Sequence, residues 1–282
     1  MGCPKSLLFL PPKQLSSCVA AGIFRDTRGV ALGDADRFNF FPASPLVSVT
    51  HVIEGELQLV GDRAGRAQRI KPGHTKIMPR QFVLSPQDEP IVSWSAGPVV
   101  ALTVGIYPDA WMQLGHGFGS EIVPDGLSAA LSAFSLNQQE EASWCQFAEH
   151  FSRTWQKARS KNSFPEWSGS DRLHDWSRYL LNRLALAGPG RSVRTLERMI
   201  KRWSGQTRQS LAFYAAIENL HRSRVERPDI NLSALASDAG YADQSHMGRA
   251  LRRATGFSPA QLNRLIETEE SFWCYRLMGE RF

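Results

Sequence analysis

The chain has 282 residues, of which 42% are hydrophobic and 21% are charged. Chains of this length ordinarily form about two domains, each with its own core. No apolar run approaches the roughly 20 residues that span a bilayer, and the apolar stretch at 6–10 is too short for a signal peptide. We therefore expect a cytoplasmic protein that makes no use of a membrane.

The excess positive charge is confined to one block of the sequence. Residues 172–264 carry 16 Lys and Arg against seven Asp and Glu, whereas the remainder of the chain is slightly acidic. A basic block of this length is typical of a nucleic-acid-binding domain, although a solvated basic surface would have the same composition. The block is therefore the first place to look for a DNA-binding motif.

Residues 38–107 show short strands separated by turns. A strand is predicted over 46–53, and Gly55 then turns the chain into a returning strand over 56–60, which indicates a β-hairpin. Further strands are predicted at 75–78, 81–84, 91–96 and 99–105, and turns at 61–62, 72–73, 79–80, 86 and 97–98. Short strands at such regular spacing favour a small all-β barrel or sandwich.

The periodicity changes to that of a helix over 137–159. Aromatic and small residues recur there at steps of three and four, which predicts one apolar face of an amphipathic helix. These residues are Trp144, Phe147, Ala148, Phe151 and Trp155. The stripe could pack on its own barrel or on a second copy of the chain, so the sequence leaves both a monomer and a homodimer as alternatives. The segment 160–170 has the composition of a linker and is the predicted hinge before the basic block.

Two stretches of the basic block, 192–205 and 243–256, repeat one pattern. Each begins with an N-cap residue, has a basic middle and ends with a glycine suited to follow a helix. Apolar pairs, Leu196 with Ile200 and Met247 with Leu251, would anchor each helix to a core. The outward residues would suit base edges and phosphates in a major groove. These candidate DNA-binding residues are Arg194, Glu197, Arg198 and Lys201 in the first stretch, and Gln244, Ser245, His246 and Arg249 in the second.

A helix and a turn precede each stretch, so each is read as the recognition helix of a helix-turn-helix unit. For the second unit the preceding helix is predicted over 232–241, with inward residues Leu232, Leu235, Ala236 and Ala239. For the first unit it is predicted over 173–187, and the turn at 188–190 is longer than usual. A helix over 210–225 joins the units and would hold the recognition helices about one DNA turn, roughly 34 Å, apart.

The second unit resembles the signature of the AraC (AraC/XylS) family of bacterial transcription regulators. The resemblance rests on Gly-Tyr-x-Asp-Gln-Ser-His at 240–246 and Thr-Gly-Phe-Ser-Pro at 255–259, and it extends over 172–264. Met247 and Leu251 stand where the family usually has Phe. The resemblance implies base or phosphate contacts for Arg194, Glu197, Arg198, Gln244, Ser245, His246 and Arg249. It also implies a barrel-like sensor, dimerisation beside that sensor and RNA polymerase as a partner, as in an activator; the residues themselves do not fix the sign of regulation.

The predicted fold class is therefore α+β in two domains. A cupin-like β-barrel sensor over 1–124 is followed by a helical connector over 125–168 and an all-α domain with two helix-turn-helix units over 169–282. We expect a sequence-specific, DNA-binding transcription regulator controlled by a small-molecule effector. The hypothesis for the effector site is an apolar pocket of the β domain. Its walls would be Phe38, Phe40, His51, Phe82 and Trp94, although aromatic residues of this kind more often form plain core than pocket lining.

Two rival functions remain to be weighed. A cupin-type metal enzyme would need clustered His ligands, but His51, His74 and His116 stand apart, and no nucleophile motif is present, so we expect neither an enzyme, a metal nor a cofactor. The scattered cysteines, Cys3, Cys18, Cys145 and Cys274, are expected to be free thiols. A DNA-binding protein without an effector is the second rival, and it would not need about 120 residues of separate β domain.

Overall fold

The computed structural model describes residues 3–60, 75–160, 173–186, 192–227, 229 and 231–279. The predicted turns at 61–62, 72–73 and 188–190 lie outside these residues, as does the predicted hinge apart from Ser160. None of the helices in the described ranges combines the length and the apolar character needed to cross a membrane.

The described residues of the N-terminal region form nine strands. They are β1 Lys5–Phe9, β2 Val19–Asp26, β3 Phe38–Phe41, β4 Val47–Glu54, β5 Gln58–Val60, β6 Thr75–Ile77, β7 Gln81–Leu84, β8 Ile91–Trp94 and β9 Val100–Ile106. One antiparallel sheet has the order β1-β2-β9-β4-β7, and a second has the order β3-β8-β5-β6. The β character predicted for this region is confirmed. Closure into a cupin-like barrel is not confirmed, because the described strands form two separate sheets.

The predicted hairpin between β4 and β5 is wrong. Strand β4 pairs with β9 and β7, while β5 pairs with β6 and β8 in the other sheet. Gly55, with a φ of +82°, carries the chain from one sheet to the other. A Cβ at Gly55 would lie 2.2 Å from the Pro98 carbonyl oxygen, so only glycine fits this crossing.

Ten helices follow the strands in the described ranges. They are α1 Pro108–Gln113, α2 Asp125–Ser132, α3 Glu140–Arg159, α4 Leu173–Leu186, α5 Val193–Ser204, α6 Arg208–Glu226, α7 Leu232–Asp238, α8 Gln244–Thr255, α9 Pro259–Thr268 and α10 Trp273–Gly279. Helices α1 to α3 pack on the five-stranded sheet and share its core. The remaining helices form the C-terminal region.

The aromatic stripe of α3 belongs to the core of its own chain. Phe147 and Phe151 are completely buried, and Trp144 stacks on Phe9 with ring centroids 5.2 Å apart. A Cβ at Gly22 of β2 would lie 2.6 Å from the Trp144 ring, which shows how closely helix and sheet approach. These side chains are already covered by their own chain, so they are not available to pack on a second copy. Of the two predicted alternatives, packing on the chain's own domain is correct.

The C-terminal helices are built around α6. Leu211 near its start is buried with the core of α4 and α5, whereas Leu220 is buried with α7 and α8. At 1.5 Å per residue these two positions are about 14 Å apart along the helix. Helix α6 therefore connects the core that holds α5 to the smaller cluster that holds α8, as the predicted helix over 210–225 required.

The last helix returns to the β region. Phe40 of β3 stacks on Phe272 with ring centroids 4.6 Å apart, and the Trp273 Nε1 donates to the Asn39 side-chain oxygen at 2.7 Å. Arg25 forms an ion pair with Glu270 at 2.7 Å. The four-stranded sheet is thus covered by residues that follow the second helix-turn-helix unit.

Candidate nucleic-acid interface

Helices α5 and α8 have matching ends. The Ser192 side chain accepts a hydrogen bond from the Thr195 amide, and the Asp243 carboxylate accepts one from the His246 amide at 2.7 Å. The hydrogen bond from the His246 amide lowers the pKa of the Asp243 carboxyl. Gly205 and Gly256 follow the helices with φ of +68° and +88°. Both predicted helices and all four predicted end residues are confirmed.

The inward faces of the two helices are apolar and anchored. Ile200 of α5 is completely buried, with Leu196 packed beside it. Met247 of α8 is 1% exposed and packs with Leu220 and Leu235, and Leu251 is partly buried. Each recognition helix is consequently fixed in orientation about its own axis.

The outward faces carry the residues that the sequence singled out. All eight are exposed: Arg194, Glu197, Arg198, Lys201, Gln244, Ser245, His246 and Arg249. The structure thus gathers four of them on α5 and four on α8, on the sides facing away from the core. Their contact with DNA stays a prediction.

Two further exposed arginines extend these faces. Arg202 lies four residues after Arg198, and Arg252 lies three residues after Arg249, so both continue the same sides of α5 and α8. They are suited to phosphate contacts at the groove edge. Helical spacing from the named residues could have found them in the sequence.

His246 is positioned by an aromatic neighbour. Its ring meets the Tyr241 ring edge to face, with centroids 5.3 Å apart. Burial raises the pKa of Tyr241 to about 12, so its hydroxyl stays protonated at neutral pH. Tyr241, which lies in the turn between α7 and α8, therefore packs against the first turn of α8.

The first helix-turn-helix unit is tied to the β region by a buried cluster around Asp109 of α1. The carboxylate accepts from the Trp176 Nε1 at 2.9 Å and from the Arg183 guanidinium at 3.2 Å. The Arg183 guanidinium also lies over the ring of Trp203 in α5, 5.1 Å from its centroid. Burial raises the pKa of the Asp109 carboxyl, and the Trp176 and Arg183 contacts act against that rise. One carboxylate therefore connects α1 to a recognition helix.

The second unit is tied to the β region by a smaller buried cluster and one exposed ion pair. The Ala43 amide donates to the Ala254 carbonyl at the end of α8, at 2.7 Å. The Tyr214 hydroxyl of α6 donates to the Gln87 carbonyl at 2.8 Å. Arg253 forms an ion pair with Asp88 at 3.3 Å on the surface. No local pattern predicted these contacts, because each joins residues more than 120 positions apart in the sequence.

The five residues proposed as effector walls do not come together. Phe82 pairs with Thr50, the neighbour of His51, so Phe82 and His51 leave opposite faces of the sheet. The His51 Nδ1 donates to the Leu131 carbonyl at 3.0 Å, and burial lowers the pKa of this imidazole. Phe38, Phe40 and Trp94 instead pack under the C-terminal helices. The single-pocket hypothesis is wrong because these side chains belong to two different sheets and, within the five-stranded sheet, to opposite faces.

The histidines are also apart in space. His116 lies beside Trp111, His51 is bonded under α2, and His74 lies outside the described residues. Within the ranges that the structure covers, no group of three or more His, Cys, Asp or Glu residues is arranged to hold a metal ion.

Comparison with known proteins identifies the C-terminal region. A family model described as a helix-turn-helix domain matches residues 189–264, the stretch that carries the signature motifs and both recognition helices. Residues 189–264 are an AraC-type helix-turn-helix domain, which confirms the predicted family for this part of the chain. The AraC-type domain thus comprises α5 to α8 and the start of α9. No curated protein matches the chain.

Several solved structures match most of the chain at low sequence identity. ToxT from Vibrio cholerae O395 is 11% identical with a TM-score of 0.39, and the match covers 94% of this chain and 98% of ToxT. ToxT with a bound unsaturated fatty acid is 10% identical with a TM-score of 0.36, covering 79% and 93%. The AraC-like transcriptional activator CuxR is 12% identical with a TM-score of 0.29, covering 98% and 100%.

Proposed function

We propose that the chain is a sequence-specific regulator that holds about two turns of DNA, with α5 and α8 in successive major grooves. One observation carries this proposal: two 12-residue helices at the two ends of α6 are each capped, anchored by a buried side and polar or basic on the exposed side. Such helices can present side chains to base edges while their ends and flanking arginines contact phosphates.

The proposal includes control by a small-molecule effector. We assign residues 1–124 to a cupin-like sensor, 125–168 to the helical connector and 169–282 to the DNA-binding domain. The support is that both helix-turn-helix units contact the β region directly, the first through Asp109 and the second through Ala43. A change in the β region would therefore bias how the two helices meet DNA. Such a protein acts in the cytoplasm, where RNA polymerase would be its partner at the promoter.

The test is the binding of the full chain to a selected DNA site and to random DNA over a range of salt. We expect the selected site to bind at least about a thousandfold more tightly, and affinity to fall steeply with salt. Lys201→Ala should reduce the slope of log affinity against log salt by about one. Lys157→Ala, an exposed lysine of α3 outside the basic block, should leave the slope unchanged.

Two results would contradict the proposal. Equal affinity for selected and random DNA would indicate a structural DNA-binding protein without a regulatory site. An identical change of slope in both lysine variants would show that the exposed face of α5 is not the DNA-binding surface.

A further inference from the structure

A cavity of about 420 Å³ lies behind the second recognition helix. Its walls come from the start of α4, from α6 to α10 and from residues 42–46, which connect β3 to β4. Sites for small molecules in proteins commonly have about 300–1,000 Å³. The cavity is therefore large enough for a ligand, and it lies where the AraC-type domain meets the β region.

The walls of the cavity are mostly apolar. Ile217 and Leu220 of α6, Met247 and Leu251 of α8, and Leu262 and Ile266 of α9 all line it. An apolar molecule would remove this surface from water, which is favourable in proportion to the area covered. The walls therefore select for a largely apolar ligand.

One polar group at the wall lacks a partner. The Tyr275 hydroxyl is buried and has no hydrogen-bond partner among the described residues, although Tyr275 lines the cavity. Burial raises the pKa of Tyr275 well above its usual value, so the hydroxyl remains a donor at neutral pH. A buried donor without an acceptor is costly, and an acceptor on a ligand would remove that cost.

The charged residues of the wall are already engaged or point to water. The Glu218 carboxylate accepts from the Leu173 and His174 amides at the start of α4. The Arg276 guanidinium donates to the carbonyls of Ile266 and Glu269 and pairs with Glu270, and Glu267 is exposed. A charged ligand would have to break these contacts, so a neutral ligand fits better.

We propose that this cavity binds a neutral, largely apolar small molecule carrying one hydrogen-bond acceptor for the Tyr275 hydroxyl. Because Met247, Leu251 and Thr255 line the cavity from α8, its occupancy would alter the seating of the second recognition helix directly, whereas α5 contributes no described residue to the wall. This consequence rests on the proposed DNA-binding function, whereas binding in the cavity does not.

The neutral fluorescent ketone Prodan tests the site on the full chain without DNA. We expect a saturable blue shift of its emission, and Tyr275→Phe should weaken binding about fivefold, the net contribution of one neutral hydrogen bond. Tyr241→Phe is the matched control, because its hydroxyl is also buried and unpartnered among the described residues but does not line the cavity. The Tyr241 variant should bind Prodan as the unaltered chain does.

The stability of the variant separates a ligand role from a structural one. Since the Tyr275 hydroxyl makes no bond within the described chain, Tyr275→Phe should melt at or above the temperature of the unaltered protein. If that variant does not fold, Leu251→Trp, which fills the cavity from a partly buried position, should abolish saturable binding. No saturable binding to the unaltered chain, or equal binding by the Tyr275 or Leu251 variant, would overturn the proposal.

The regulatory consequence is read from DNA footprints with saturating Prodan. We expect altered protection over the α8 half of the site alone. An unchanged footprint would contradict the consequence and leave the binding site standing. A chain that binds Prodan but selects no DNA site would instead contradict the proposed function.

Discussion

Asp109 is the residue on which the seating of the first recognition helix depends most directly. Its carboxylate is 4% exposed and faces an Arg183 side chain that is 5% exposed. Removing water from both charges is costly, and the attraction between them together with the Trp176 hydrogen bond offsets that cost only while all partners are present. A loss at this one position would therefore leave a buried cation without its carboxylate.

Asp109→Ala should lower the free energy of unfolding by about 3–5 kcal/mol, the usual result of breaking a buried ion pair from one side. Asp88→Ala is the matched control, because it removes an exposed ion pair between the same two regions. That pair is 62% and 48% exposed, so its loss should cost less than about 1 kcal/mol. Urea unfolding measures both, and equal losses would refute the distinction between the two contacts.

Two glycines of α8 should respond to alanine in opposite directions. Gly256 follows the last residue of α8 at a φ of +88°, where a side chain is strained, so Gly256→Ala should destabilise by about 1 kcal/mol. Gly248 lies inside the helix, and a Cβ there meets nothing within 4 Å, so Gly248→Ala should stabilise by about 0.5–1 kcal/mol. Melting temperatures that shift in the same direction would show that α8 does not end at this glycine.

At the scale of elements, α3 shows the consequence of a stripe buried by its own chain. Phe151 is completely buried against the sheet, so Phe151→Ala should cost about 3–5 kcal/mol of stability. Glu149→Ala, on the exposed side of the same helix, should change stability by less than about 0.5 kcal/mol. Thermal melting gives both values. A Phe151→Ala variant that keeps its stability and loses only self-association would contradict this account and show that the stripe forms a dimer interface.

The sequence predicted those elements whose signals are local. The helices α5 and α8 were placed within a residue because a capping side chain at one end and a glycine at the other mark them. The prediction of a hairpin at Gly55 failed because strand pairing depends on residues distant in the sequence. Strand β4 lies between β7 and β9, and a turn at glycine can equally lead the chain from one sheet to another. The prediction of the effector walls failed because residues of one sequence region were assumed to lie on one face of one sheet.

The contacts that tie the two regions together had no signal in the sequence. Asp109 and Trp176 belong to different helices, and neither stands in a motif that predicts their meeting. The eight residues of the candidate DNA interface could be chosen in advance because the apolar spacing of each helix fixes which side faces away. A buried cluster between regions depends on docking, which helical spacing does not encode.

At the scale of the whole molecule, the helical and β regions share their cores. The core that contains β4 and α3 continues through Trp176 to Ile200 of the first recognition helix. A second cluster joins Phe40 of the small sheet to Phe257 and Phe272. The two DNA-binding units are therefore attached to the β region at separate places, which allows each to be influenced separately.

The central claim is that α5 and α8 occupy separate grooves of one site, and half-site footprints of paired variants test it most directly. Arg194→Ala should weaken protection over one half, and Arg249→Ala should weaken protection over the other. Each should cost about 1–3 kcal/mol and relax specificity only in its own half. If both variants lost protection identically across the whole site, the claim that α5 and α8 bind in separate grooves would be contradicted.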